Sequence, residues 1–275
     1  MKILITGHKG FIGQNLMQYL TQQGYTVEGY EYDSKTFPDT IRFDQVIHLG
    51  AISSTTETNI EKIMLQNYDF SMKLLKKCIS ARVPLQYASS ASVYGNTKDF
   101  SESSNKNPNS AYSWSKYLFD REVDTIIKDN PNALIQGFRY FNVYGPFETH
   151  KQNQASPITK FIHEAKTLGT ISIFEKSENY LRDFICVSDV CEIHHQMLNK
   201  KVSGIFNVGT GSATSFAEIA KIVAKKYQAK VVTVPMPKIL THQYQTYTCA
   251  DTTLLNTHVS IQYKTIEKYI EHDCN

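Results

Sequence analysis

The chain lacks the features that mark a membrane protein, a secreted disulfide protein or a nucleic-acid-binding protein. No apolar stretch among its 275 residues approaches the length of a membrane span. The first predicted strand starts at Lys2, which leaves no room for a signal peptide. The formal net charge is only +3 and basic residues form no long block, so we expect neither a nucleic acid nor a membrane as partner. This length predicts one large domain or two lobes.

Cysteines are few and scattered. There are five, an odd number, and no two form a Cys-x-x-Cys pair, which argues against a disulfide framework or a zinc site. We therefore expect reduced thiols and a cytoplasmic location. The adjacent His194 and His195 do not indicate a metal site, because neighbouring helical residues point to different faces and lack partners at ligand spacing. The sequence predicts no bound metal.

Three glycines cluster near the N-terminus. A β-branched run, 3–6, ends in Gly7, Gly10 and Gly13, and an apolar helical pattern begins at Phe11. A strand that enters a helix through such a turn offers free N–H groups and the helix dipole to a pyrophosphate. Gly7 permits the turn, Gly10 lets the backbone approach the phosphates, and Gly13 lets helix and strand pack closely. This context predicts a dinucleotide-binding site.

Strand and helix patterns alternate through the first half, which predicts an α/β fold with a Rossmann-like, doubly wound parallel sheet. We expect a dinucleotide-binding domain over 1–145 and a smaller C-terminal α/β substrate lobe over 146–275, with about 183–208 returning to the first domain. Only about a dozen residues, 33–44, separate the second and third strands. That is too few for a crossover helix and another strand, so the sheet should lack one edge βα unit. Predicted strands are 25–32, 45–49, 85–88, 134–140, 171–174, 204–208 and 231–234; predicted helices are 59–80, 111–128, 158–168, 188–199, 216–227 and 265–271.

Tyr112 and Lys116 lie four residues apart on a predicted helix, so both side chains leave one face. Tyrosine titrates near 10, and lowering its pKa by about 3 units takes roughly 4 kcal/mol of differential stabilisation of the phenolate. The Lys116 ammonium and a positively charged oxidised nicotinamide together supply such stabilisation. By itself this spacing also occurs on ordinary helix surfaces. Ser90, however, ends a buried strand at the ligand-binding edge of the sheet, where it is placed to bind a substrate hydroxyl beside Tyr112.

These motifs, in this order, make the chain similar to the extended short-chain dehydrogenases/reductases of the nucleotide-sugar epimerase/dehydratase type. Within that family the resemblance is greatest to the ADP-glyceromanno-heptose 6-epimerases, through 50–57, 87–95, 137–146, 174–184 and 204–211. The resemblance covers essentially the whole chain. It implies an enzyme that inverts a sugar carbinol of a nucleotide-diphosphate sugar by transient oxidation with bound NAD or NADP. It also implies a homo-oligomer.

The resemblance carries roles over to individual residues of this chain. It implies a catalytic group of Ser90, Tyr112 and Lys116, with Lys151 as a second acid/base; without the resemblance, Lys151 reads as a solvated loop lysine. Besides Tyr112 and Lys116, the implied cofactor residues are Gly7, Gly10, Phe11, Ile12, Gly13, Glu31, Tyr32, Lys35, Leu49, Gly50, Ala51, Ser53, Asn67 and Val143. The implied substrate residues are Ser90, Asn142, Lys160, Phe174, Ser177, Arg182 and Tyr244. An ion pair with Asp183 or Asp189 is the alternative reading of Arg182.

The sequence leaves the cofactor and the reaction partly open. Glu31 ends the second strand, where a carboxylate binds the adenosine ribose diol and favours NAD. The heptose epimerases commonly use NADP, for which Lys35 is the close cation. A 4,6-dehydratase is disfavoured because Ala91 and Ser92 stand where that reaction needs a carboxylate pair. A UDP-hexose 4-epimerase, a deoxysugar epimerase/reductase and, from another class, a non-catalytic nucleotide sensor remain as alternatives.

Overall fold

The chain forms one six-stranded sheet, a smaller second sheet and the helices that cover them. The computed structural model describes residues 1–32, 36–54, 57–148, 151, 154–237 and 245–272. Its strands are β1 (Lys2–Thr6), β2 (Thr26–Tyr30), β3 (Gln45–His48), β4 (Leu85–Ser90), β5 (Ile135–Tyr140), β6 (Asn142–Tyr144), β7 (Thr170–Phe174), β8 (Leu181–Cys186), β9 (Gly204–Val208), β10 (Ala213–Ser215), β11 (Lys230–Val234) and β12 (Tyr247–Thr248). Its helices are α1 (Phe11–Gln22), α2 (Ile60–Ile63), α3 (Phe70–Ala81), α4 (Ala111–Asp129), α5 (Pro157–Leu168), α6 (Val187–Leu198), α7 (Phe216–Tyr227), α8 (Thr253–Asn256) and α9 (Ile266–His272). A π-helical turn, Met64–Asp69, joins α2 to α3.

The main sheet is entirely parallel and has the spatial order β2-β1-β3-β4-β5-β9. The strand order reverses between β1 and β3, and a reversal of this kind opens a crevice at the carboxyl ends of the strands. At that edge Thr6 pairs with Tyr30 on one side and His48 on the other, and Ser90 pairs with Tyr140. The residues that end these strands therefore converge on one crevice.

The β2 side of the sheet ends early. Within the described residues no strand lies beyond β2, and the segment between β2 and β3 contains a single short 3-10 turn, Thr40–Arg42. The prediction that the sheet lacks one edge βα unit is thus confirmed, together with the doubly wound α/β class.

Alternation along β1 distributes its side chains between two helical layers. Ile3 and Ile5 are buried with Leu16 of α1, whereas Leu4 is buried on the other face with Leu75 of α3 and Phe119 of α4. Helices on both faces cover a strand that is apolar at every central position.

A capping box fixes the start of α4. The Ser110 hydroxyl accepts a hydrogen bond from the N–H of Ser113 (3.1 Å), and the Ser113 hydroxyl accepts one from the N–H of Ser110 (2.9 Å). Such reciprocal bonds satisfy two backbone donors that the helix itself leaves unpaired. Because Tyr112 lies in this first turn, the cap also fixes where its side chain leaves the helix.

The smaller sheet is built around β8, which pairs with β6, β10 and β12. β7 and β11 form a separate parallel pair. Helices α5, α7 and α9 bury a common core that includes Ile158, Phe161, Ile219 and Ile270. β9 returns to the main sheet and α6 packs on α1. The division of the chain at residue 145 stays a prediction; β6 already belongs to the smaller sheet.

The predicted elements match the structure best where the pattern is long. The helix predicted over 216–227 has those bounds, and the one predicted over 111–128 ends one residue later. The helix predicted over 59–80 is continuous except for its π-helical turn. The short strands β6, β8, β10 and β12 were not predicted.

Candidate active site

The glycine turn connects β1 to an uncapped helix. Gly7 has a φ of +72°, and a Cβ on it would lie 2.6 Å from the backbone of Gly50. A Cβ on Gly13 would lie 2.2 Å from the carbonyl oxygen of Gly7. Gly10 is the N-cap of α1 and provides no side-chain cap, so the first N–H groups of the helix stay available to a ligand. The turn therefore has the close backbone packing that only glycine permits.

A cavity of about 460 Å³ lies against this turn. It joins residues from the turn, from the ends of β2, β3 and β4, from α4 and from the loop before α5. Its lining residues are Gly7, Gly10, Phe11, Ile12, Gly13, Glu31, Leu49, Gly50, Ala51, Ser53, Ala88, Ser89, Tyr112, Lys116, Tyr140, Lys151 and Gln154. Most of the predicted cofactor residues are thus brought together in one place.

Glu31 lies at one end of the cavity. Its Oε1 accepts a hydrogen bond from the N–H of Lys9 (2.7 Å) and lies 3.1 Å from Nδ1 of His8. Tyr32 lines an adjoining depression with Glu31 and Phe70 rather than the main cavity. Lys35, the predicted cation for a 2′-phosphate, lies outside the described residues.

Tyr112 and Lys116 lie at the other end, and both side chains contact β4. Nζ of Lys116, which is only 5% exposed, donates a hydrogen bond to the carbonyl oxygen of Ala88 (2.9 Å). Burial lowers the pKa of Lys116 to about 8, while the nearby Asp120 carboxylate raises it. The Ser90 hydroxyl lies beside the Tyr112 phenol and lowers its pKa.

The sequence predicts a lowered pKa for Tyr112, but in the protein without cofactor the pKa is raised. Burial raises it, and Ser90 partly offsets that rise. Because the Lys116 ammonium is directed at the Ala88 carbonyl oxygen, the expected lowering needs the cofactor's positive charge as well. The protein positions the phenol but does not by itself make it a base.

Lys151 reaches the same cavity from the loop between β6 and α5. Its Nζ lies 4.8 Å from the centroid of the Phe11 ring. The loop is fixed by Glu148, a buried carboxylate that accepts hydrogen bonds from the Ser156 N–H and hydroxyl and from the Thr159 hydroxyl, each at 2.7 Å. Burial lowers the pKa of Lys151, and Glu148 opposes that shift. Lys151 is therefore a half-buried cavity residue, not a solvated loop lysine.

Two predicted cofactor residues lie behind the cavity. Asn67 is 1% exposed; its Oδ1 accepts a hydrogen bond from the Ile52 N–H (2.8 Å), and its Nδ2 donates to the Ile52 carbonyl (3.0 Å) and to Ser115 (3.1 Å). Val143 packs against the apolar clusters that also include Ile12. Neither residue lines the cavity: the Asn67 amide holds the loop after β3 and Val143 lies among apolar neighbours, so their contact with a cofactor stays a prediction.

Ser90 lies beside Tyr112, whereas three other predicted substrate residues lie in a different region. Lys160, Phe174 and Ser177 line a second cavity of about 210 Å³ with Phe216. The Arg182 guanidinium lies 5.6 Å from the Phe216 ring centroid. Tyr244 lies outside the described residues.

Arg182 and Asn142 both donate hydrogen bonds to backbone carbonyl oxygens. Arg182 donates to the carbonyl oxygens of Leu181 (2.9 Å) and Gln245 (2.6 Å). Asn142 donates from Nδ2 to the carbonyl oxygen of Asp183 (2.9 Å). Arg182 thus lies on β8 and Asn142 on the neighbouring strand β6.

Sequence reasoning gave no site role to four lining residues of the main cavity, Ala88, Ser89, Tyr140 and Gln154, nor to Asp120. Asp120 lies behind that cavity, hydrogen-bonded to the Ser89 hydroxyl (2.9 Å). Asp120 follows Lys116 by one helical turn, and that spacing is the one sequence signal that would have indicated it.

The rest of the described chain offers no second kind of site. No group of His, Cys, Asp and Glu in the described ranges is arranged to hold a metal ion. No helix in those same ranges is long and apolar enough to cross a membrane. His194 is buried, with Nδ1 bonded to Gln86 (2.7 Å) and Nε2 to Tyr140 (2.5 Å). Burial lowers the pKa of His194 to about 3, so it is a neutral core residue.

Residues 3–209 match the NAD dependent epimerase/dehydratase family, and the chain belongs to that family. It is 37% identical to an ADP-L-glycero-D-manno-heptose-6-epimerase from Brachyspira hyodysenteriae, over 90% of this chain and 89% of that protein. The ADP-L-glycero-D-manno-heptose-6-epimerase of Helicobacter pylori superposes with a TM-score of 0.84 at 27% identity, covering 99% of this chain and 94% of the other. The UDP-glucose 4-epimerase of Thermus thermophilus in complex with NAD has the same fold, with a TM-score of 0.78 at 22% identity over 99% of this chain and 98% of that one.

Proposed function

We propose that the protein is a nucleotide-sugar epimerase that inverts one sugar carbinol by oxidation and re-reduction within the main cavity. The observation that carries this proposal is that the glycine turn, Tyr112 with Lys116, and Lys151 line a single cavity from separate elements. Returning a hydride to the opposite face of a ketone requires a proton-handling group for each of the two substrate poses. Tyr112 and Lys151 are those two groups.

The residues present fit a nicotinamide dinucleotide. Gly7 and Gly13 leave no room for a Cβ, and the uncapped start of α1 offers N–H groups to a pyrophosphate. A dinucleotide held by these residues would supply the hydride acceptor and donor for the oxidation and re-reduction. The chain's own side chains bind and align the substrate and transfer its protons.

Each side chain has a distinct task in this proposal. Ser90 hydrogen-bonds the reacting hydroxyl and aligns it with Tyr112. Tyr112 acts as a phenolate that the Lys116 ammonium stabilises; its Oη takes the hydroxyl proton in one pose and becomes a neutral phenol. Lys151 Nζ exchanges the proton in the other pose. Burial favours this second role, since a lowered pKa makes the neutral amine available at lower pH.

The favoured substrate is an ADP-linked heptose inverted at its sixth carbon. Identity to the Brachyspira enzyme supports this, since 37% is shared over most of both chains. The second cavity supports it in a general way, because Lys160 and the neighbouring Arg182 provide positive charge suited to a diphosphate. Phe174 and Ser177 line the same cavity.

NAD is the favoured dinucleotide. The Glu31 carboxylate lines the main cavity, where it accepts hydrogen bonds from a ribose diol and repels a 2′-phosphate. The Thermus 4-epimerase, which shares the fold, binds NAD. NADP is the alternative, with Lys35 as its partner.

The deciding experiment is incubation of the purified protein with ADP-glycero-manno-heptose and, separately, with UDP-glucose, followed by chromatographic separation of the epimers. We expect interconversion of the ADP-heptose epimers without net cofactor consumption, and loss of interconversion in Tyr112→Phe with dinucleotide binding retained. Conversion of UDP-glucose alone would favour a 4-epimerase, and net cofactor consumption would favour a reductase. Dinucleotide binding with no conversion of either sugar would favour the nucleotide sensor.

A homo-oligomer in the cytoplasm completes the proposal. Helices α2 and α4 and the π-helical turn expose large apolar side chains, namely Ile60, Leu65, Trp114 and Leu118. Exposed apolar residues grouped on neighbouring helices favour association with a second copy. The molar mass of the wild type and of Trp114→Glu, measured by light scattering, tests this. We expect an oligomeric wild type and a dissociated Trp114→Glu; a monomeric wild type would contradict the proposal.

A further inference from the structure

Asp120 is a buried carboxylate on α4 that makes three side-chain hydrogen bonds. Its Oδ2 accepts from Nε of Arg139 (2.8 Å) and from the Ser89 hydroxyl (2.9 Å), and its Oδ1 accepts from the Tyr87 hydroxyl (2.9 Å). The residue is 1% exposed. Because Tyr87 and Ser89 are alternate residues of β4, both point to the same side of the strand and Asp120 holds both.

Asp120 is aligned with the proposed catalytic side chains. Tyr112, Lys116 and Asp120 are spaced by four residues, so they form one stripe on α4 that faces β4. Ser89, which Asp120 holds, directly precedes Ser90, and the Ser90 side chain lies beside Tyr112. The position of Ser90 thus depends on a strand end that Asp120 anchors.

The charge of Asp120 also acts on the same stripe. It raises the pKa of Lys116 and that of Tyr112. Arg139, on β5, compensates the negative charge of Asp120. Its Nη1 also donates to the Tyr94 hydroxyl (3.3 Å), which in turn donates to Oδ1 of Asn207 (2.7 Å).

We propose that Asp120 is a positioning residue for the epimerase site: its carboxylate fixes the strand end that presents Ser90 to Tyr112, and its charge sets the pH range over which Tyr112 and Lys116 exchange protons. The assignment of catalytic roles to Tyr112 and Lys116 rests on the proposed function, whereas the contacts of Asp120 do not.

Other ionisable groups face this stripe and need separate treatment. Burial lowers the pKa of Lys106 to about 8, and its Nζ lies 4.7 Å from the Tyr94 ring centroid. Lys106 therefore titrates in the same range as Lys116. The groups that face the stripe are His48 from β3, Tyr87 from β4, Arg139 and Tyr140 from β5, Tyr94 from the turn after β4, Glu102 and Lys106 from the following loop, and Asp124 from α4.

The test is titration of the Tyr112 phenol in NAD-saturated protein by tyrosinate absorbance, each variant being compared with its own Tyr112→Phe counterpart. Asp120→Asn should move the titration to lower pH, and both limbs of the pH profile of kcat should move the same way. Ser89→Ala removes one hydrogen bond to Asp120 and no charge. We therefore expect kcat to fall several-fold while the Tyr112 titration and the pH profile of kcat stay at the same pH. Lys106→Met should leave the titration unchanged.

The proposal fails if folded Asp120→Asn titrates like the wild type, or if Lys106→Met reproduces the shift. Should Asp120→Asn not fold because Arg139 is left unpaired, the double variant Asp120→Asn/Arg139→Met removes both charges and should still shift the titration to lower pH. If no nucleotide sugar is converted, the proposed function is wrong, but the phenol titration still tests this inference.

Discussion

Lys116 Nζ donates a 2.9 Å hydrogen bond to the carbonyl oxygen of Ala88, so the ammonium on α4 is bound to the backbone of β4. Ala88 lies two residues before Ser90, the proposed substrate-binding hydroxyl. The bond therefore ties the helix that carries Tyr112 to the strand that carries Ser90. A side chain with this contact has a structural task in addition to its electrostatic one.

Replacement of Lys116 by Met should affect both tasks. The half-buried Ala88 carbonyl oxygen would lose its side-chain donor, at a cost of about 1–3 kcal/mol in the free energy of unfolding. The phenolate of Tyr112 would lose its cation, and we expect kcat to fall at least about 100-fold. Urea unfolding and epimer formation are the measurements, with Lys76→Met on exposed α3 surface as control. Near-normal kcat in Lys116→Met would contradict the role given to the ammonium.

The glycine turn offers a graded test of backbone packing. A Cβ at Gly13 would lie 2.2 Å from the Gly7 carbonyl oxygen, whereas a Cβ at Gly10 would lie 3.2 Å from the same atom. Gly13→Ala should therefore displace the turn and weaken NAD binding more than tenfold, or about 1.4 kcal/mol. Gly10→Ala should have the smaller effect on folding. Calorimetric titration with NAD and thermal unfolding measure the two quantities, and equal effects of the two substitutions would argue against this packing.

Local sequence patterns were sufficient to predict the parts of the site that depend on spacing along the chain. The turn after β1 follows from three glycines between a strand and a helix. The pairing of Tyr112 with Lys116 follows from a four-residue separation on a helix. The shortened β2 edge follows from counting residues between strands. Each of these inferences needs only neighbours in sequence.

The unpredicted parts depend on contacts between distant segments. Asp183 lies in β8, where its carboxylate accepts hydrogen bonds from Thr210, Gly211 and Ala250. These bonds allow a charged residue inside a buried strand. The alternation of apolar and polar residues along the sequence therefore does not reveal β8. Asn67 bonds to Ile52 rather than lining the cavity, and Asp120 bonds to Arg139 on another strand. Nothing in the local pattern specifies such partners.

The cofactor preference should depend on Glu31. Its Oε1 accepts the Lys9 N–H, and the carboxylate lines the cavity. Glu31→Gln removes the negative charge and should raise the affinity for NADP relative to NAD by at least about tenfold, since a 2′-phosphate is no longer repelled. Dissociation constants for both dinucleotides are the measurement. Glu28→Gln, on the same strand but paired with Lys2, is the matched control; an unchanged ratio in Glu31→Gln would remove the argument for NAD.

Lys151 should be required for catalysis and not for folding. Its side chain is half-buried over Phe11, and without it the buried Glu148 carboxylate keeps its hydrogen bonds from Ser156 and Thr159. We expect Lys151→Met to lower kcat about 100-fold, with NAD affinity changed little. Stopped assays of epimer formation measure kcat, and calorimetric titration measures the affinity for NAD. Full activity in this variant would mean that Lys151 has no catalytic role and that Tyr112 is the sole acid/base.

Two buried histidines make the fold sensitive to acid. His48 is bonded through Nδ1 to Thr6 (2.6 Å) and through Nε2 to Ser71 (2.7 Å), directly beneath the glycine turn. Because Ser71 donates its own proton to the Asn67 carbonyl, it accepts from Nε2 of His48 and Nδ1 remains the acceptor. Protonation of Nδ1 would take away the acceptor of the Thr6 hydroxyl and place a charge in a buried site.

Acidification should therefore reduce stability by an amount that the histidines determine. Burial lowers the pKa of His48 and of His194 to about 3, below the ordinary value of 6.5. The unfolded chain then binds more protons than the folded one, so their contribution to the free energy of unfolding is complete above pH 6.5 and is lost as the pH falls toward 3. At about pH 5 the loss is on the order of 2 kcal/mol per histidine. Urea unfolding at about pH 7 and pH 5 measures it. His194→Gln should reduce the difference between the two conditions by one histidine's share, whereas the exposed His272→Gln should not; an unchanged difference in His194→Gln would mean that other groups control the acid response.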